Sequence, residues 1–168
     1  MAGLLSAAAG GAVLSAGAFT SSVAAEADMR VVVSSELRLV AAREGGDYVD
    51  AEELGGPVNE IIVESLNLSA RSEFAGIVRI VNDSDATAEE FRFEFDSDRE
   101  DVVDTLGILS EEGIEEDDGT FVLTPEGGLG PGEDLDFGVS VDLLPEEGTE
   151  PPDLSEGVEV GLEITAEG

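Results

Sequence analysis

Residues Phe74 to Asp96, FAGIVRIVNDSDATAEEFRFEFD, carry the clearest structural signal in the chain. Two apolar runs flank the polar residues 82–85. In the second run, Phe91, Phe93 and Phe95 occupy every other position between charged residues. Side chains alternate between the two faces of a β-strand, whereas a helix would spread these rings around its circumference. The stretch therefore predicts two strands, the second with an aromatic inner face.

Apolar runs of strand length recur on both sides of this stretch. Residues 134–143 and 158–165 repeat the alternation of apolar and polar side chains. Shorter runs occupy Met29–Val33, Leu37–Ala41, Val58–Glu64 and Thr120–Thr124, of which the first two form either two strands or one bulged strand. The Gly- and acid-rich stretches Glu44–Gly56 and Glu111–Gly119 are predicted loops. About eight short strands separated by turns predict an all-β sandwich.

One segment has helical spacing. Across Asp98–Leu109, the side chains of Val102, Val103 and Leu106 fall on one helical face. The acids that open this segment suit a helix N-terminus, where the helix dipole favours negative charge. We therefore predict one short helix here, ended by Gly107.

The chain is acidic throughout. Its 168 residues include 40 acidic and 7 basic side chains, all seven of them arginine, which gives a formal net charge of −33. Apolar residues make up 42%, enough for a core, so the charge does not indicate disorder. At low salt such a charge opposes compaction, but in molar salt the Debye length is roughly 3 Å and the repulsion is screened. Because the acids are spread over every loop, they indicate adaptation to concentrated salt rather than a patch for a basic partner.

The same composition excludes several classes of function. Seven cations among so many acids cannot neutralise a phosphate backbone, so we predict no nucleic-acid partner and no electrostatic binding to anionic lipids. A chain without His or Cys forms no Ser-His-Asp triad, no disulfide and no zinc site built on those residues. Carboxylate pairs arise by chance in a chain this acidic, so they do not indicate a glycosidase. We predict no enzymatic activity and no obligatory cofactor.

Residues 1–25 carry no charged side chain and are dominated by small residues. This composition is typical of a signal peptide, although no basic residue opens it. Cleavage after Ala18 would make Phe19 the first residue, and cleavage after Ala25 is the second candidate. The apolar run is about 15 residues, short of the roughly 20 that span a membrane as a helix. We predict export, with this segment as a cleaved signal helix or an uncleaved anchor, ahead of one domain at 26–168; a buried Ala-rich helix is the alternative.

Calcium is the metal that the composition leaves open, because hard cations take several oxygen ligands. Asp96, Asp98, Glu100 and Asp101 crowd one short segment and are the candidate ligands. No acidic group in the chain matches an EF-hand loop, and a solvated acidic loop explains the same residues.

Two N-glycosylation sequons are present, Asn67-Leu68-Ser69 and Asn82-Asp83-Ser84. Asn67 and Asn82 would be the acceptors of glycans in an exported chain. Both sequons therefore fit the predicted export, although such triplets also occur by chance.

Two segments resemble a haloarchaeal family of secreted proteins of unknown function. SAGAFTSSVAAEADMRVVV (15–33) is similar to that family's N-terminus, in which acidic residues, a basic residue and a β-branched strand follow a signal peptide. LNLSARSEFAGIVRIVNDSD (66–85) is similar to its central pattern of an N-x-x-A-R segment, a strand and an Asn/Asp/Ser turn. Pro131-Gly132-Glu133 before a strand is shared with the wider TasA and camelysin group of secreted sandwich proteins.

This resemblance implies a jelly-roll-like antiparallel β-sandwich at the cell surface or outside the cell. TasA-like proteins form biofilm-matrix fibres by passing an N-terminal strand into the next subunit. The resemblance therefore implies an assembly strand containing Phe19, Met29, Val31 and Val33. Camelysins have been described as surface metalloproteases, an activity that a chain without His does not support.

Two functions are consistent with these observations. The first is an exported structural protein that associates with itself, or with other surface components, through its N-terminal strand. The alternative is a monomeric exported module that binds glycans or calcium through acidic loops at one end of the sandwich. Either protein would contact the membrane only through an uncleaved N-terminal segment.

Overall fold

The computed structural model describes residues 25–33, 36–42, 48–50, 58, 60–66, 70–144, 152–154 and 158–168. Within these residues the chain forms β-strands and a single helical turn. The strands are Ala25–Val33 (β1), Leu37–Ala41 (β2), Val49–Asp50 (β3), Glu60–Leu66 (β4), Arg71–Asn82 (β5), Glu90–Asp96 (β6), Leu106–Leu109 (β7), Ile114–Asp117 (β8), Thr120–Leu123 (β9), Asp134–Asp142 (β10) and Val158–Glu167 (β11). The helical turn is Glu100–Val103 (α1), between β6 and β7. The predicted all-β class is confirmed.

The strands form two sheets that share one core. The larger sheet has the order β3-β4-β1-β11-β6-β9-β8, and the smaller has the order β2-β5-β10-β7. Neighbours pair antiparallel except β1 and β11, which run parallel in the middle of the larger sheet. The expectation of a purely antiparallel sandwich is wrong at this one place. A parallel pair needs a long connection, and here most of the domain separates the two strands along the chain.

Most of the predicted strands are present. The runs Met29–Val33 and Leu37–Ala41 are two separate strands, because β1 belongs to the larger sheet and β2 to the smaller. The paired runs of 74–96 form β5 and β6, which also lie in different sheets. The polar turn between them therefore carries the chain from one layer of the sandwich to the other.

The two layers meet at aromatic rings. Phe91 and Phe93 of β6 and Phe137 of β10 are fully buried. The ring centroids of Phe93 and Phe137 lie 5.2 Å apart, so this contact joins the two sheets. Phe95 is half-buried and packs edge-on against Phe121 at 5.9 Å. The predicted aromatic inner face is confirmed, with Phe95 at its rim.

The predicted helix over Asp98–Leu109 is wrong beyond its first turn. Helix α1 ends at Val103, and β7 begins at Leu106. Leu106 and Ile108 are buried while Gly107 between them is not, which is the alternation of a strand. The backbone of β7 pairs with β10, and these tertiary hydrogen bonds outweigh a weak local preference for helix.

Two stretches predicted to be loops contain strands. β3 lies within Glu44–Gly56, and β8 lies within Glu111–Gly119. β8 returns into β9 through Asp118 and Gly119, whose φ angles of 50° and 79° are those of a tight hairpin turn. The acidic residues of β8 led to the prediction of a loop. They are compatible with a strand here because β8 lies at the edge of the sheet, where charged side chains are tolerated.

A bulge interrupts the pairing of β5 with β10. The register shifts between Phe137 and Val139, and Gly76 in β5 has a φ of 61°. A side chain on Gly138 would overlap the carbonyl oxygen of Phe74, so only glycine fits there. The bulge shapes the outer face of the smaller sheet, the face that points away from the larger sheet.

Candidate functional site

The strand predicted to drive assembly lies in the centre of the larger sheet. β1 pairs with β11 from Ala27 to Val33 and with β4 from Ala25 to Arg30. The side chain of Met29 is fully buried, and those of Val31 and Val33 pack partly buried against the core. Three of the four residues predicted for the assembly strand therefore fill a slot in the domain's own sheet. Phe19 and the cleavage candidate Ala18 lie outside the described residues.

The other side of β1 faces solvent. Val32 is 59% exposed, the most exposed large apolar side chain among the described residues. Arg30 pairs with Glu159 at 3.3 Å, but both side chains are largely exposed. The interactions that hold β1 are therefore its two rows of backbone hydrogen bonds and its buried inner face, which a strand of the same sequence would reproduce. The second cleavage candidate, Ala25, is the first residue of β1.

The acidic segment predicted to bind calcium spans the end of β6 and the start of α1. Asp101 accepts two hydrogen bonds from Arg99, at 2.8 Å from Nε and 2.7 Å from Nη2. Within the described residues, no three acidic side chains are arranged to hold a metal ion. Calcium binding by Asp96, Asp98, Glu100 and Asp101 gains no support from this geometry and stays a prediction.

All six arginines in the described residues are ion-paired. The pairs are Arg30–Glu159, Arg38–Asp83, Arg71–Glu73, Arg79–Asp136, Arg92–Glu90 and Arg99–Asp101. In this part of the chain, each guanidinium already has a carboxylate partner, so none is left unpaired for an anionic ligand.

Two of these pairs change the titration of their carboxyl groups. The hydrogen bond from Arg38 is the largest influence on Asp83 and lowers the pKa of its carboxyl group below its ordinary value. The hydrogen bond from Arg99 lowers the pKa of Asp101 in the same way. Both carboxyl groups therefore stay ionised in the folded chain at a lower pH than an isolated aspartate would.

Asn82, a predicted glycan acceptor, is 1% exposed at the end of β5. Its Nδ2 donates to the carbonyl oxygens of Ala86 and Leu129, each at 2.8 Å. Its Oδ1 accepts from the backbone N–H of Ser84 at 3.0 Å and from the hydroxyl of Ser84 at 2.7 Å. A glycan on Nδ2 would displace one of these hydrogen bonds of a buried side chain, so this geometry gives no support to Asn82 as an acceptor, and its glycosylation stays a prediction. The other acceptor, Asn67, lies outside the described residues.

Asn82 instead joins two loops at one end of the sandwich. Its backbone N–H donates to Glu133 at 3.0 Å, and its carbonyl accepts from Gly132 at 2.7 Å. Ala88 and Leu129 exchange a second pair of backbone bonds between the same loops, at 3.0 and 2.8 Å. The sequence showed Asn82 only as part of a sequon and a polar turn, so its structural role was missed.

A cleft of about 780 Å³ lies on the outer face of the smaller sheet. The β5 bulge at Gly76 forms one wall, and Leu109 with the turn after β7 forms another. Arg79 is held on its floor by Asp136, at 2.6 and 3.0 Å, and by Asp134 at 3.3 Å. No sequence motif predicted this cleft, because its shape depends on where the bulge falls between β5 and β10.

Within the described residues, no helix is long and apolar enough to cross a membrane. A comparison with known proteins finds no matching family model and no significantly similar curated protein.

Proposed function

We propose that this protein is an exported structural component of the surface or extracellular matrix of a cell living in concentrated salt, and that copies assemble by exchanging β1. The observation that carries the proposal is the position of β1. It follows the uncharged N-terminal segment directly, and it also fills the centre of the larger sheet. A strand at that position links one subunit to the next when it leaves its own sheet and enters another.

The contacts of β1 support such an exchange. If β1 leaves, the facing edges of β4 and β11 lose their partner and Met29 no longer fills the core. A copy of β1 from a neighbour restores each of these contacts, so the closed monomer and the exchanged assembly differ little in contact energy. Protein concentration then decides between the two states.

The charge of the chain supports assembly in concentrated salt. Two copies that each carry a net charge of −33 repel strongly at low ionic strength. In molar salt that repulsion is screened beyond a few ångströms, so β1 of one copy can reach the slot of another.

The resemblance to the TasA and camelysin group supports the same reading, because TasA-like fibres form by donation of an N-terminal strand. The finer parts of the proposal are the jelly-roll-like connectivity, the secreted location and the role in a biofilm matrix. They rest on that resemblance and on the uncharged residues 1–25.

A reversible disulfide bond between β1 and β4, which would keep β1 in its own sheet, tests the exchange. Arg30 and Glu60 face each other across β1 and β4. The N–H of Ile62 donates to the carbonyl of Tyr48, the residue before β3, so Ile62 and, two residues away, Glu60 direct their backbone bonds away from β1. Arg30 and Glu60 are therefore a non-hydrogen-bonded pair of β1 and β4, with Cα atoms about 4.5 Å apart and within disulfide range. The Arg30→Cys/Glu60→Cys variant, in a chain with no other cysteine, should form fibres in molar salt only when reduced. Electron microscopy and sedimentation would follow the assembly.

Controls distinguish an effect of the disulfide bond from unfolding of the variant. The oxidised variant should keep the circular dichroism of the native sandwich, and reduction should restore assembly. Deletion of residues 19–28 should abolish it. If the native chain stays monomeric at every concentration in molar salt, or if the oxidised variant assembles as well as the reduced one, β1 exchange is excluded.

The cleft beside β7 favours a second candidate function, a monomeric module that binds surface glycans. Its carboxylates and the guanidinium of Arg79 could hydrogen-bond to sugar hydroxyl groups. Calorimetric titration with surface polysaccharide and with calcium tests this function. Binding of polysaccharide that Arg79→Gln weakens would support it, whereas no heat with either ligand would remove it.

A further inference from the structure

The four edges of the two sheets are not equally protected against pairing with another strand. In the larger sheet, β3 is two residues long, and β8 carries three acids in four residues. In the smaller sheet, the β2 edge is occupied, because the Leu39 carbonyl already accepts from the N–H of Val58 at 3.0 Å. Short length, charge and coverage are the usual protections of sheet edges. β7, with the sequence Leu-Gly-Ile-Leu, is twice as long as β3, carries no charge and has no cover within the described residues.

The hydrogen bonds of β7 show which of its backbone groups are free. The N–H of Asp142 in β10 donates to the carbonyl of Thr105 at 2.8 Å, in register with the pairing of β7 and β10. Because antiparallel bonding alternates along a strand, Gly107 and Leu109 also bond to β10. Leu106 and Ile108 therefore point their N–H and C=O groups outward, and no partner for these groups lies in the described part of the chain.

We propose that β7 is a second contact between copies of this chain, in which two β7 edges pair antiparallel about a two-fold axis through Gly107. The smaller sheets of the two copies then form one continuous sheet. This contact does not involve β1 and stands or falls independently of strand exchange. If both occur, β7 pairing links β1-connected chains side by side.

The absence of charge from β7 and the position of its outward backbone groups favour a second copy in this register. With Gly107 on the axis, Leu106 bonds to Ile108 of the second copy, and Thr105 faces the other Leu109. Residues 105–109, which face each other in this register, carry no charge, so no acid of the paired segments faces an acid. Because Gly107 has no side chain, the two Gly107 residues can approach as closely as a non-hydrogen-bonded pair requires. Moving the axis to Leu106 or Ile108 would pair one of these two residues with a residue outside β7, because their outward groups meet each other only when Gly107 lies on the axis.

Cysteine cross-linking tests the contact and its register in the full chain. Thr105 and Leu109 of different copies form a non-hydrogen-bonded pair, with Cα atoms about 4.5 Å apart and within disulfide range. A mixture of Thr105→Cys and Leu109→Cys chains in molar salt should form mainly the mixed disulfide, and each variant alone should form little. Leu144→Cys is the matched control, because Leu144 is 56% exposed and lies outside β7. Equal yields with this control, or mainly Leu109–Leu109 disulfides, would overturn the proposal.

A charge on the edge tests the same contact without cross-linking. Leu109→Glu and Leu144→Glu add the same charge, but only the first should weaken dimerisation, by about tenfold or more. Sedimentation in molar salt measures the dimer, and circular dichroism checks the fold. In hydrogen exchange, the amides of Leu106 and Ile108 should gain protection as protein concentration rises. Protection that is full in dilute monomer would mean that the chain's own residues cover the edge, and the proposal would be wrong.

Discussion

Among single residues, Asn82 stabilises one end of the sandwich through side-chain and backbone hydrogen bonds. It is one of only two buried polar residues among those described, and its amide group is fully satisfied. A buried amide is costly to desolvate unless all of its bonds are made, and here they tie the turn after β5 to the loop before β10. Its effect on stability should therefore exceed that of any exposed neighbour.

Replacement of Asn82 tests this role. Asn82→Ala should lower the free energy of unfolding by about 2 kcal/mol, because the carbonyl groups of Ala86 and Leu129 each lose a hydrogen bond and a buried side chain is truncated. Asp85→Ala, an exposed change in the same turn, should stay within about 0.5 kcal/mol. Urea unfolding in molar salt measures both. Equal effects of the two substitutions would contradict the role given to Asn82.

Gly138 allows a second prediction, because steric overlap alone decides it. A Cβ atom there would overlap the carbonyl oxygen of Phe74 and lie 2.7 Å from the Cα of Ala75. Gly138→Ala should therefore destabilise the fold by about 3 kcal/mol, through displaced backbone. Gly113→Ala is the control, since nothing lies within 4 Å of a Cβ at that position. A Gly138→Ala variant as stable as the control would mean that the bulge relaxes freely.

Among the elements, β1 connects fold and proposed function. It is held on both sides by backbone pairing, but its two faces differ: Met29 is fully buried, whereas Val32 is 59% exposed. The inner face therefore supplies the apolar energy that a donated strand would carry into its neighbour. Alanine substitution on each face separates this contribution from strand propensity.

The expected effects differ several-fold. Met29→Ala should lower the free energy of unfolding by about 2–5 kcal/mol, and Val32→Ala by about 0.5 kcal/mol at most. Under the proposed exchange, Met29→Ala should also weaken fibres more than Val32→Ala does. Thermal unfolding and sedimentation measure the two effects. Similar stabilities of the two variants would contradict the placement of β1 in the centre of the sheet.

The ion pair between Arg38 on β2 and Asp83 after β5 should depend on pH. The pKa of Asp83 is lowered from its ordinary value of 3.8, chiefly by the hydrogen bond from Arg38. A lowered folded-state pKa contributes stability above the unfolded pKa and loses it as pH falls through the folded value. A double-mutant cycle with Arg38→Gln and Asp83→Asn should show coupling at neutral pH that disappears once the pH is below the lowered pKa of Asp83. Coupling that is unchanged across this range would assign the pair no electrostatic role.

On the scale of the whole molecule, we expect charge to have the largest effect on stability. A net charge of −33 on one sandwich should make folding depend steeply on salt. Lowering sodium chloride from about 3 M to about 0.1 M should reduce the melting temperature, as the Debye length grows to about 10 Å. The triple variant Glu115→Gln/Glu116→Gln/Glu126→Gln, at exposed positions, should show a weaker dependence.

Sucrose at matched water activity is the control, because it strengthens apolar burial without screening charge. It should raise the melting temperature of the native chain and of the triple variant equally. If salt also acts equally on both proteins, the dependence comes from solvent exclusion and not from repulsion between carboxylates.

The sequence alone was sufficient for the sandwich class and for its aromatic centre. Where apolar residues such as Phe91 and Phe93 alternate with polar ones, all of the apolar side chains lie on one face of the strand. That face is the buried one, whichever strands lie beside it. The charge pattern likewise predicted an acidic exterior without reference to any contact. The alternation is local and the net charge is a sum over the chain, so both can be predicted from the sequence.

Pairing between distant segments was decided only by the tertiary structure. Leu106–Leu109 is a strand because β10 lies beside it, and the parallel pairing of β1 with β11 joins segments far apart in the chain. The burial of Asn82, the cleft over Arg79 and the unprotected edge of β7 likewise depend on which strands are neighbours. Strand order is a property of contacts between distant segments, and the alternation within one strand carries no information about its partner.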